Sequence, residues 1–140
     1  MPRRDQEMAK KAARLITDIE ITPEVRTRLI GLPFLLHRNG LAATLAFIAS
    51  KSDSKSDLSR AYSKVEALLS KQIRESGING ANQFSSISNP VSAIWLGERS
   101  SRHYLRLTAE VADTLLWVKR FAEASKAQEA ASVDSGVDNE

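Results

Sequence analysis

The segment Tyr104–Ala124 reads YLRLTAEVADTLLWVKRFAEA. Its residues Tyr104, Leu107, Thr108, Val111, Leu115, Val118, Phe121 and Ala122 are separated by steps of three, one, three, four, three, three and one. At about 3.6 residues per turn these positions share one face, so the spacing predicts an amphipathic helix and not a strand. Leu116 and Trp117 fall outside that stripe. The apolar surface is therefore wider than one packed face requires, which predicts a second, partner-facing surface. Arg102, Arg106, Lys119 and Arg120 lie on or beside the same helix.

Upstream segments repeat the helical pattern. Met8, Ala12, Leu15, Ile16 and Ile19 recur at helical intervals between Asp5 and Glu20. Thr22-Pro23 is a start signal, because threonine caps orphan amides and proline suits the first helical position. A break or kink is expected between Gly31 and Pro33. Asn39-Gly40 ends that helix, and LAATLAFIASK resumes as a buried one; Gly40 serves either the left-handed turn or close approach by a neighbour. Ser50 to Asp57 is a polar loop, with Asp57 as the expected cap of a helix carrying Leu58, Ala61, Tyr62, Val65, Leu68, Leu69 and Ile73. GINGANQFSSISNP is rich in turn formers and reads as a mobile loop, and Asn89-Pro90 opens a short helix ending before Gly97. No stretch alternates like a half-buried strand, so the expected fold is all-α, a compact single-domain bundle of five or six helices.

At 140 residues the chain is long enough for one core. The expected domain spans residues 1–126. The remainder, residues 127–140, has four acids, no base and little bulk, and is expected to be a disordered acidic tail. Net charge is +3 overall, but with those four acids set aside 20 bases face 13 acids, or +7. A basic body favours an anionic partner through long-range attraction and counterion release. No apolar run matches a membrane span, the basic N-terminus lacks a signal-like apolar core, and cysteine is absent, so a cytoplasmic protein is expected.

Enzymatic chemistry finds little to work with. His37 and His103 each sit beside arginines and belong to no catalytic motif. Glu110 and Asp113 are three apart, but Glu110 is also placed to pair with Arg106 at i, i+4. Zinc and calcium spacings and a phosphate-binding loop are all missing, so no catalytic residue, metal or cofactor is expected. The basic residues are the better candidates. Arg99, Arg102 and Arg106 step along one helix, and Arg60, Lys64, Lys71 and Arg74 along another, in the manner of phosphate-backbone contacts. A sequence-independent mode follows, since no exposed aromatic cluster stands out.

Two blocks of the sequence resemble the small-subunit family of the type III-B CRISPR Cmr effector complex. The first is Leu32, Pro33, Asn39, Gly40, Leu41, Thr44, Leu45, Ala46, Phe47 and Lys51. The second is Tyr104, Arg106, Leu107, Thr108, Glu110, Leu115, Trp117, Lys119, Arg120, Phe121 and Ala122. The resemblance implies a non-catalytic antiviral subunit that stacks in several copies beside the complex's backbone subunits. Its implied partners are those subunits, the large polymerase-like subunit, other copies of itself, guide RNA and target RNA. Lys51, Arg60, Lys64, Arg102, Arg106, Lys119 and Arg120 become expected RNA or filament contacts, and Leu41, Phe47, Trp117 and Phe121 subunit packing or core. Trp95 is a further interface candidate. The segment Pro90 to Arg99 and the longer acidic tail depart from the family pattern. Alternatives are the equivalent type III-A small subunit, or a free-standing helical regulator using Asn39-Gly40 as a helix-turn-helix.

Overall fold

Every regular element among the described residues is helical. In the computed structural model these are residues 4–52 and 55–138, with the side chains of 126–138 excepted. The helices are α1 (Arg4–Thr17), α2 (Pro23–Ile30), α3 (Leu32–Asn39), α4 (Leu41–Ser50), α5 (Asp57–Arg74), α6 (Pro90–Gly97) and α7 (Ser101–Asp138), with a 3-10 turn at Ala81–Gln83. The expected acidic tail falls on residues whose side chains lie outside those described.

Local chemistry sets the boundaries. The Val25 amide donates to the Thr22 hydroxyl at 3.1 Å, and Pro23 opens α2. Pro33 has no amide to continue the ladder, so the helix is interrupted at Gly31, yet Gly31 still donates to Thr27 and accepts from Leu35. Thus α2 and α3 are one helix bent at a single residue. Counted as one unit, they bring the total to six; counted separately, to seven.

Gly40 has φ +87°, and a Cβ placed there would meet nothing within 4 Å. Its role is therefore the left-handed turn, not close approach. Glycine offers α4 no side-chain cap. The Ala42 amide instead donates to the Tyr104 hydroxyl on α7, at 2.9 Å across 62 residues of sequence. At α5 the cap is Ser56, whose hydroxyl accepts from the Ser59 amide at 3.1 Å. Asp57, expected to be the cap, is the first helical residue, where its charge still opposes the positive end of the dipole.

α7 is the centre of the bundle. Leu107, Val111, Leu115, Val118 and Ala122 are at most 1% exposed, and α7 packs mainly against α1, α2 and α3, with smaller contacts to α4 and α5. α5 contributes Ala61, Tyr62, Val65, Leu69 and Ile73 to the same core. Burial pushes the Tyr62 hydroxyl up from its ordinary pKa, a shift the nearby Arg28 partly offsets.

The segment expected to be a mobile loop is anchored. Ile78, Ala81 and Phe84 are buried, Arg74 donates to the Phe84 carbonyl at 2.7 Å, and Ser86 donates to Glu66 at 2.7 Å. Three apolar residues scattered through a polar stretch supply the burial that turn chemistry alone does not reveal.

Two substitutions test this account. Leu115→Ala, which empties part of the central stripe, is expected to cost about 2–5 kcal/mol in urea unfolding. Tyr104→Phe, which keeps the ring and removes only the acceptor, is expected to cost about 1 kcal/mol; an unchanged midpoint would show that water replaces the hydroxyl.

Candidate nucleic-acid interface

The basic residues divide by what their side chains already hold. Arg60 is tied to the start of its own helix through Asp57 and the Lys55 carbonyl. Arg74 is committed to the Phe84 carbonyl. Arg106 donates to the Ser76 carbonyl and lies 3.4 Å from Glu110. Arg99 stacks 4.3 Å over the Trp95 ring and donates to the Trp95 carbonyl at 2.8 Å. Of the two stripes expected from sequence, Arg102 on α7 and Lys64 and Lys71 on α5 remain as exposed cations with no carboxylate partner among the described residues.

Two of the other expected contacts, Lys51 and Arg120, sit beside aromatic rings. Lys51 lies 5.7 Å from the centroid of Phe47, and Arg120 lies 5.3 Å from that of Trp117. Trp117 in turn stacks on Phe121, with centroids 5.8 Å apart. Both rings are half-buried against the core, as is Phe47, which meets Tyr62 edge-on. Lys119 is half-buried and lies two residues from each of Trp117 and Phe121, on a different face of the helix. Leu41 is fully buried. Arg120, at the middle of α7, thus borders an aromatic surface that is only partly covered. Exposed apolar side chains outside the expected set are Phe34, Val91, Ile94 and Leu105.

Glu110 is the carboxylate most suited to acid–base work, and its surroundings assign it another role. It is 8% exposed, 2.7 Å from Arg4 and within reach of Arg106, so two guanidinium groups hold its charge. These residues line a cleft of about 400 Å³ together with Lys11, Gln72 and Glu75. Gln72 donates to the Glu110 carbonyl at 2.9 Å, while its own buried side-chain oxygen accepts no hydrogen bond. His103 lies seven residues from Glu110 on the same helix, about 10 Å along the axis. His37 is exposed on α3. Among the described residues no group of three or more His, Cys, Asp or Glu is placed to hold a metal ion.

The helix-turn-helix reading fails on α4. Leu41, Thr44, Leu45 and Ile48 face the core, which leaves Ala43, Ala46 and Ser50 outward. A recognition helix needs longer polar side chains than these to read base edges.

The described residues thus form an all-helical bundle with cations beside half-covered aromatic rings. The family model for the CRISPR-associated protein Cas_Cmr5 matches residues 4–125, and the chain belongs to that family. This is the Cmr, type III-B, small-subunit family that the two sequence blocks resemble. A crystal structure of a Cmr5 family protein from Thermus thermophilus superposes with a TM-score of 0.62 at 28% identity, covering 89% of this chain and 97% of that one. Among curated proteins none matches. No helix among the described residues is long and apolar enough to cross a membrane.

Sequence reasoning missed Arg4, Lys11 and Arg14 as members of charged sites. Lys11 and Arg14 do carry a signal, being three apart on a helix, but nothing local indicates which helix they face.

Trp95 is held by its Nε1 donating to the Asn79 carbonyl at 3.3 Å, and a Cβ on Gly80, whose φ is +84°, would lie 2.8 Å from that nitrogen. Gly80→Ala is therefore expected to cost about 1–3 kcal/mol and displace the indole. The displacement is read as a shift in Trp95 fluorescence in a Trp117→Phe background.

Proposed function

We propose that this chain is a non-catalytic structural subunit of a type III-B ribonucleoprotein. It stacks along the backbone subunits with other copies of itself and helps to hold guide and target RNA for antiviral defence. Family membership over residues 4–125 carries the reading, because the matched region includes both sequence blocks and the whole described core. The large polymerase-like subunit is a further expected partner, and the assembly is expected to be cytoplasmic.

Three observations support it. The exposed cations Lys51, Lys64, Arg102 and Arg120 lie outside the core, where phosphate can reach them. The half-buried pair Trp117 and Phe121, with Arg120 over the Trp117 ring, offers a surface on which a neighbouring subunit could complete its burial. Glu110, the best-placed carboxylate for chemistry, is ion-paired with Arg4 and Arg106, which favours a structural role over proton transfer. Arg60 and Arg106 serve the fold first, and their contribution to RNA binding is the smaller one.

Co-purification of the tagged chain from a host encoding a type III-B complex tests the proposal. Backbone subunits and guide RNA are expected to accompany it. The triple variant Arg102→Glu, Lys119→Glu, Arg120→Glu is expected to weaken RNA retention at low salt by about tenfold or more, with folding unchanged. A wild-type chain that recovers alone, with the complex intact in the same lysate, refutes membership. Full RNA cleavage by a complex rebuilt with His37→Ala and His103→Ala supports the non-catalytic role, and its loss refutes that role.

A further inference from the structure

Many arginines in this protein are held by carbonyls, carboxylates or aromatic rings, as described above. One place departs from that pattern. Between α1 and the middle of α5 runs a groove of about 200 Å³ lined by Lys11, Arg14, Lys64 and Lys71, with Leu15 and Leu68 as its floor and Asp18 as its acid. Arg14, Lys64 and Lys71 are exposed and have no carboxylate partner among the described residues. Lys11 has only a long contact to Glu75, at 3.7 Å and half-exposed on both sides. Such a contact is worth little and yields readily to a better anion.

We infer that this groove is a binding site for the phosphate backbone of single-stranded RNA, separate from Arg102, Lys119 and Arg120 on α7. Lys64 and Lys71 are seven residues apart on one wall, about 10 Å along the helix axis, while Lys11 and Arg14 line the other. Two walls of like charge over a narrow floor concentrate positive potential, which Asp18 and the long contact to Glu75 offset only in part. A polyanion with regularly repeated charges fits two parallel rows better than one isolated phosphate does. The floor offers two leucines and no aromatic ring, so bases gain no stacking platform there and the contact is independent of sequence. None of the four cations lies in the two blocks of family resemblance.

The inference rests on the RNA-holding part of the proposed function, and the experiment separates the two. Binding of a fluorescent, unstructured single-stranded RNA to the full chain is measured from about 50 to 200 mM salt. Each phosphate contact contributes about −0.7 to the slope of log affinity against log salt, so four groove cations supply about −2.8. The variant Lys64→Ala, Lys71→Ala changes two exposed side chains and is expected to keep the wild-type melting temperature. Its slope should be shallower by about 1.4, which shrinks the salt-induced loss of affinity over this range by about sevenfold. Arg14→Ala should make the slope shallower by about a further 0.7. An unchanged slope in the groove variants, with binding lost in the Arg102, Lys119 and Arg120 variant, overturns the groove and leaves the subunit reading standing. An unchanged slope combined with failure to enter the complex assigns the groove to an acidic protein surface and also overturns the inference. Wild-type protein with no salt-dependent RNA binding overturns the groove and the RNA-holding role together.

Discussion

The bundle depends on drying one face of a single helix. Five apolar residues of α7, from Leu107 to Ala122, are at most 1% exposed, and a helix cannot hide such a stripe unless neighbours cover it from several directions. The bend at Gly31 follows from this. A straight helix from Pro23 to Asn39 would extend about 25 Å and cross α7 at one place, whereas two eight-residue halves each lie against it. Pro33 is thus tolerated because the interruption it causes is where the packing requires a change of direction.

What could be read from sequence follows how far each interaction reaches along the chain. The α7 stripe, the bend before Pro33 and the turn at Gly40 are encoded within a few residues, and each is found where its pattern places it. The Arg106–Glu110 pair is local too, at i, i+4. Arg4 reaching Glu110 and Ala42 donating to Tyr104 join distant segments, and no periodicity announces them. The polar loop misleads for a related reason. Ile78, Ala81 and Phe84 are too sparse to form a period, yet each is buried, the 3-10 turn packing on α5 and Phe84 meeting Trp95 of α6 edge-on. Ser56 and Asp57 are chemically equivalent caps in sequence, and only the backbone distinguishes them.

The same distinction governs the candidate interface. A row of arginines on a helical projection looks like a phosphate-binding stripe, but arginine's five donors also suit it to closing off carbonyls at helix ends. Arg74, Arg99 and Arg106 all do so, at the Phe84, Trp95 and Ser76 carbonyls respectively. The lysines Lys64 and Lys71, with a compact ammonium on a flexible stem, are left out of such arrangements and stay open to solvent. Residue type is therefore a better guide to availability than position in the stripe.

The Tyr104 hydroxyl makes the two blocks of family resemblance a single physical unit. One block supplies the exposed amide at the start of α4 and the other supplies its acceptor, while Leu41, Leu45 and Ile48 pack in the same core as Leu107 and Val111. Apolar packing tolerates little change in volume, so a pattern carried by core positions identifies a fold even where the surface has diverged. Exposed cations are under no such constraint, since an anionic strand is attracted by their summed field and not by one fixed side chain. The resemblance thus identifies how the bundle is held together, and the open lysines of α5 form no part of it.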